Sequence, residues 1–178
     1  MNIVIIGAGK IGATLTEQLL REGHEITVVD TRTAALDAIG NTLDVMTVEG
    51  NGISMDTQIE AGVPSADLVI AVMSTDEQNL LSCLIAKRLG VGNTIARVRN
   101  PEYTSGLHLI QDDLGLSMAL NPELASATEI ARILRVPAAF SVESFARGTV
   151  ELIGFQITEQ DGMAGKSLIE YNKLHPNA

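Results

Sequence analysis

Tryptophan is absent from the 178 residues, and aromatics make up only 3%. Hydrophobic residues are nevertheless 46% of the chain and the mean hydropathy is +0.21, so the core must be built from Ile, Leu, Val, Ala and Met. That palette suits parallel strands covered on both faces. Only one cysteine, Cys83, is present, which excludes an internal disulfide and fits a reducing cytoplasm. It falls inside an apolar helical pattern and reads as a buried thiol. Basic residues are scarce: 12 Lys and Arg stand against 22 Asp and Glu, a formal net charge of −10. Such a balance repels phosphate backbones, so no nucleic acid partner is expected. No apolar run approaches the roughly 20 residues that span a bilayer. Met1-Asn2 leads straight into strand-like sequence without a signal peptide. Direct membrane insertion is therefore not expected, and a membrane role would come through a partner.

What is present is an alternation of strand and helix signals. Residues 3–6 are a β-branched run ending at a glycine cluster, and a helical pattern follows with Ile11, Leu15, Leu19 and Leu20 on one face. Gly23 is placed to end that helix. Strands are expected near 26–29, 44–48, 67–73, 94–98 and 115–120, with helices near 33–39, 55–61, 76–89 and 101–110. This pattern predicts an α/β fold, a doubly wound parallel sheet of the Rossmann type, over residues 1–121. Residues 122–148 read as a crossover helix and linker, with Leu124, Ala127, Ile130, Ala131 and Leu134 at helical spacing over 123–135 and Pro137 closing the segment. A strand over 149–157, a turn at Asp161-Gly162 and a short helix near 166–171 read as the start of a second, small α+β lobe. A domain seldom stops one strand and one helix after it begins, so the chain is expected to be a fragment of a longer protein.

Gly7-Ala8-Gly9-Lys10-Ile11-Gly12 is G-x-G-x-x-G. Alone the pattern is weak. Here it follows a strand, opens a helix and is followed by Asp30 at the end of the next strand, the context of a dinucleotide site. Gly7 permits the tight turn, Gly9 lets backbone N–H groups approach a pyrophosphate, and Gly12 allows close packing of helix on sheet. The helix N-terminus adds unpaired donors and partial positive charge. Asp30 would accept hydrogen bonds from ribose hydroxyls and repel a 2′-phosphate, which disfavours NADP; Arg32 nearby softens that discrimination. NAD or NADH is thus the first cofactor expected. Lys10 opposes the helix dipole by about 0.3–1 kcal/mol, a cost that bound polyphosphate would reverse, although a solvated lysine reads equally well.

Further loops fall at the carboxyl ends of strands, where ligands of such sheets bind. Gly50-Asn51-Gly52 is such a turn, with or without a ligand. Ser74-Thr75-Asp76-Glu77 carries two overlapping capping-box patterns, Thr75 with Gln78 and Ser74 with Glu77. Arg97 and Arg99 share one side of a strand end and need either acidic neighbours, which Asp112 and Asp113 could supply, or an anionic ligand. His24, His108 and His175 are scattered and have no neighbouring acid at useful spacing. No metal-ligand spacing, Ser-His-Asp arrangement or P-loop lysine-serine pair is found. With no acid–base pair beside a hydride path, the nucleotide reads as a signal and not a reagent. No catalytic residue is assigned.

Several stretches together resemble the N-terminal RCK or KTN domain of Trk-type potassium uptake regulatory subunits: residues 1–12, Val-Val-Asp-Thr at 28–31, Gly-Asn-Gly at 50–52, 66–77 with Asn79, and Ala-Arg-Val-Arg-Asn-Pro-Glu-Tyr at 96–103. The resemblance implies a non-enzymatic module that binds NAD or NADH, or ATP or ADP, in the cleft and gates a membrane potassium transporter or channel. It implies a homodimer or higher ring assembled through helix 123–135, and a cytoplasmic place at the inner face of the membrane, held by the transporter subunit. The binding residues it implies are Gly7, Ala8, Gly9, Lys10, Ile11, Gly12, Asp30, Thr31, Arg32, Asn51, Gly52, Ser74, Thr75, Asp76, Asn79 and Arg97. Two alternatives stay open on the residues alone: an NAD-dependent oxidoreductase fragment lacking its substrate domain, and an oligomerisation scaffold with a vestigial site.

Overall fold

The computed structural model describes residues 1–135, 139–145, 150–157, 162, 164–167, 169–170 and 173. They divide into two compact units, Met1–Leu124 and Ala125–Ala178.

In the first unit the short β-branched runs become strands and the amphipathic segments become helices. The elements are β1 (Asn2–Ile6), α1 (Lys10–Arg21), β2 (Glu25–Asp30), α2 (Thr33–Gly40), β3 (Met46–Glu49), α3 (Met55–Glu60), β4 (Leu68–Ala71), α4 (Asp76–Arg88), β5 (Asn93–Arg97), α5 (Pro101–Ile110) and β6 (Met118–Leu120). All six strands are parallel, in the order β3-β2-β1-β4-β5-β6. This is the Rossmann order, whose direction of winding reverses between β1 and β4 and opens a crevice there.

Alternation along β1 sends Val4 and Ile6 into one core and Ile3 and Ile5 into the other. The second of these cores is covered by Ile11, Ala13, Leu15, Leu19 and Leu20 of α1. Both faces of the sheet are thereby dry, as the aliphatic composition predicts.

Cys83 lies in a third cluster with Ala71, Ala96 and Val98 and has no accessible surface. Burial pushes its thiol up to about 12, so almost no thiolate exists near neutrality. At pH 8 the native thiol should react with a disulfide reagent at least about a hundredfold more slowly than in denaturant. Equal rates would place Cys83 in solvent.

The second unit holds most of α6 (Pro122–Arg135) and an antiparallel hairpin of β7 (Ala139–Phe145) and β8 (Val150–Phe155). Arg135 donates to both carboxylate oxygens of Glu151, at 3.1 and 3.3 Å. β7 falls in a stretch read from sequence as linker, where Ser141 and Ser144 dilute the apolar alternation. Thr149, Pro137, Asp161, His175 and positions 168 and 171 of the short helix expected near 166–171 lie outside the described residues. No helix among the described residues is long and apolar enough to cross a membrane.

Candidate nucleotide-binding site

The crevice at the β1/β4 reversal is a cleft of ≈ 740 Å³, well within the 300–1,000 Å³ of small-ligand sites. Its floor begins at the turn after β1. Gly7 has φ +116°, and a side chain there would press on the Val72 backbone at 2.9 Å. Its N–H donates to the Val29 carbonyl at 2.7 Å, which fixes the turn against β2. Gly12 brings α1 down onto this turn: a Cβ at Gly12 would lie 1.8 Å from the Gly7 carbonyl oxygen.

Gly9 is the N-cap of α1. No side chain caps it, and the first turn holds no acid. By contrast Ser54, Thr75 and Asn100 cap α3, α4 and α5, each with acids in the first turn. A Cβ at Gly9 would meet nothing within 4 Å. The start of α1 therefore presents uncapped N–H groups to open space in the cleft, a chemistry that fits an anion such as a pyrophosphate.

Asp30, at the end of β2, is saturated with donors. Its Oδ2 accepts the Ala8 N–H at 2.7 Å and Arg32 Nη2 at 3.0 Å; its Oδ1 accepts the Arg32 N–H at 2.9 Å and Nε at 3.0 Å. Partial burial raises the carboxyl pKa, but the Arg32 guanidinium and the two amides outweigh it and hold the group below the usual carboxylate range.

Of the residues expected to bind, Gly7, Gly9, Lys10, Ile11, Asp30, Thr31, Arg32, Asn51, Gly52, Ser74 and Arg97 line the cleft. Ala8, Gly12, Thr75, Asp76 and Asn79 do not. Ala8 is bonded to Asp30, and Gly12 is the packing point of α1. Thr75 caps α4 by accepting the Gln78 N–H at 3.3 Å. Asp76 accepts the Arg99 and Asn100 N–H groups at 2.9 and 2.8 Å, pinning the loop after β5. Asn79 is fully buried, with its amide bonded to Met73 and Arg97.

The acids paired with the two arginines are not Asp112 and Asp113. Arg97 donates to Glu123 in the first turn of α6. Arg99 lies 3.6 Å from Asp76 and donates to the Ser74 carbonyl at 2.5 Å. The close ends of β4, β5 and β6 bring these groups together, whereas Asp112 and Asp113 sit in the turn after α5. His24, expected to lack an acid, has Glu22 at 3.7 Å; both precede β2 and are absent from this cleft.

Sequence reasoning missed Gln78 and Glu123 as lining residues. It also missed a buried brace beneath the Gly50–Gly52 loop. Gln58 Nε2 donates to the Gly52 carbonyl at 2.8 Å and to Ser82 Oγ at 3.1 Å, and Ser82 Oγ donates to Gly52 at 2.9 Å. Among the described residues no group of three His, Cys, Asp or Glu side chains is placed to hold a metal ion.

Strand order and Gly-rich turn define a Rossmann-type domain. A family model, the TrkA-N domain, matches residues 3–122, and the chain belongs to that family. It is 36% identical over 170 residues to a Trk system potassium uptake protein TrkA homolog of Archaeoglobus fulgidus, covering 96% of this chain and 38% of the relative. It is 33% identical over 180 residues to the Trk system potassium uptake protein TrkA of Vibrio alginolyticus, covering 99% and 39%. The chain thus spans about two fifths of the length of these curated relatives. Among solved structures it is similar to the TrkA-N domain of the inner membrane protein ybaL from Escherichia coli (TM-score 0.66, 18% identity, 75% of this chain and 96% of that one). It is also similar to the GsuK channel bound to NAD (TM-score 0.57, 24% identity, 67% and 21%) and bound to ADP (0.57, 23%, 67% and 31%). At these identities the structures speak for the fold.

Proposed function

We propose that this chain is a nucleotide-sensing regulatory module of a membrane potassium transport system, binding NAD or NADH, and ATP or ADP, in the β1/β4 cleft. The observation that carries the reading is the uncapped, acid-free start of α1 facing open space, with Lys10 on the cleft wall. The names of the Trk relatives support the transport role, and the NAD and ADP complexes of GsuK support the ligand class. In this reading the ligand is a signal, and the chain's residues bind and orient it without chemistry.

Residues 1–121 hold the nucleotide. Glu123, in the first turn of α6, links the cleft to the segment beyond. A ligand phosphate competes with Glu123 for Arg97, so binding loosens one end of α6. Ligand binding shifts a conformational equilibrium only through such a differential interaction. Residues 122–148 carry the assembly surface: Ile130, Ile133 and Leu134 of α6 are more than half exposed, which supports a homodimer or ring through this helix. The module sits in the cytoplasm, held at the inner face of the membrane by its transporter subunit, and residues 149–178 begin a further regulatory lobe.

Calorimetric titration with NADH, ATP and ADP tests the binding. All three should bind, and Lys10→Ala should weaken NADH and ATP by about tenfold through loss of one charge-assisted contact. Failure of every nucleotide to bind at millimolar concentration would overturn the proposal.

A further inference from the structure

Asp30 holds the place where a ribose would be read, yet the four donors it already accepts fill its approximate lone-pair capacity. The pairing with Arg32 is specific in geometry. Nε and Nη2, the side-on edge of the guanidinium, lie on the two carboxylate oxygens at 3.0 Å each. That leaves the end-on edge, Nη1 with the second Nη2 hydrogen, which bonds no described residue. The side chain is 62% exposed and lines the cleft. An end-on guanidinium edge is a second planar fork, suited to two phosphate oxygens.

On this basis, and resting on the nucleotide reading above, we infer that the cleft accepts a 2′-phosphorylated dinucleotide, NADP or NADPH. Arg32 receives the 2′-phosphate on its end-on edge, and Asp30 holds the guanidinium in position instead of excluding the phosphate. The Asp30–Arg32 pair is close to neutral as a unit, so the like-charge repulsion expected from Asp30 alone is offset. Glu49, the register partner of Asp30 on β3, is the other acid at this end. It accepts the Thr33 hydroxyl at 2.9 Å and is exposed, so solvent and salt screen its field.

The test is calorimetry on the 178-residue chain, unaltered and with Arg32→Ala, using NADH, NADPH and ATP. In the unaltered chain NADPH should bind within about tenfold of NADH, the two charges of the pair offsetting one another. In Arg32→Ala, NADPH should weaken by at least about tenfold more than NADH does, since only the 2′-phosphate loses its fork. NADPH more than tenfold weaker than NADH in the unaltered chain, with NADH and ATP still bound, overturns this inference and leaves the nucleotide reading standing. Equal losses of NADH and NADPH in Arg32→Ala also overturn it. Absence of NADH and ATP binding removes both.

Discussion

Gly12→Ala should cost the fold about 3 kcal/mol or more, at the upper end of overpacking costs. Ordinarily the same change in a helix interior gains about 1 kcal/mol from propensity. Here the new methyl would sit 1.8 Å from the Gly7 carbonyl oxygen, a backbone atom of a turn tied to β2. Gly7 is held by its bond to Val29 and abuts the Val72 backbone. Only α1 is left to move. It must lift from the sheet and expose part of the face formed by Ile11, Leu15, Leu19 and Leu20, which cover the core. At 2–4 °C per kcal/mol for a chain of this size, the thermal midpoint should fall by about 6–12 °C. Gly9→Ala is the matched control. Its Cβ meets nothing, so stability should stay within about 1 kcal/mol while nucleotide binding weakens, because the methyl occupies the approach to the α1 N–H groups. A Gly12→Ala midpoint within 2 °C of the parent would mean that helix and turn yield more easily than the contact implies.

The contrast between these glycines shows what was legible in the sequence. G-x-G-x-x-G between a strand and a helix, with an acid at the end of the next strand, placed the turn and gave Gly7 and Gly12 their structural tasks, because backbone geometry depends on local spacing. The six strands and their parallel arrangement followed from the alternation of strand and helix signals and from composition. What local spacing does not carry is the choice of partner. Arg97 meets Glu123 26 residues later, and Arg99 pairs with residues of the α4 start. Strand order makes these pairs, and nearness in sequence favoured Asp112 and Asp113 wrongly. Arg32 forks onto Asp30 only two residues away, but which edge of a guanidinium is used depends on a rotamer.

Helix phase explains the remaining differences. Gln78 and Asn79 are neighbours near the start of α4, yet Gln78 lines the cleft and Asn79 is fully buried. Asn79, Cys83 and Ala86 are spaced at i, i+4 and i+7 and form one inward stripe. That stripe was readable, and it turns Asn79 inward, away from the lining of the cleft. β7 escaped because its serines blur the period of two, and a hairpin strand of this kind is recognised chiefly through its register with β8.

Asn79→Ala should therefore act first on the fold and through it on the cleft. The Asn79 Oδ1 accepts the Met73 N–H at 2.7 Å, and its Nδ2 donates to the Arg97 carbonyl at 2.9 Å. The β4–β5 ladder has ended at Ala71 and Ala96, so this one amide replaces the pairing that the strands no longer supply. Alanine leaves a donor and an acceptor without partners at a part-buried position beside the cleft. Each orphan costs about 1–3 kcal/mol, for a total near 3 kcal/mol and a midpoint lower by about 6–12 °C. Met73 and Arg97 both line the cleft, whereas Asn79 itself does not, so nucleotide affinity should fall through these two residues. Amide hydrogen exchange separates this from a direct contact. The Met73 N–H should be protected in the parent and exchange at least about tenfold faster in Asn79→Ala without nucleotide, because the acceptor it has among the described residues is gone. Weakened binding with Met73 protection and thermal midpoint unchanged would instead make Asn79 a ligand contact. Asn79→Asp sharpens the distinction: it keeps the acceptor for Met73 but sets a carboxylate against the Arg97 carbonyl, so Met73 protection should survive while the β5 end loosens.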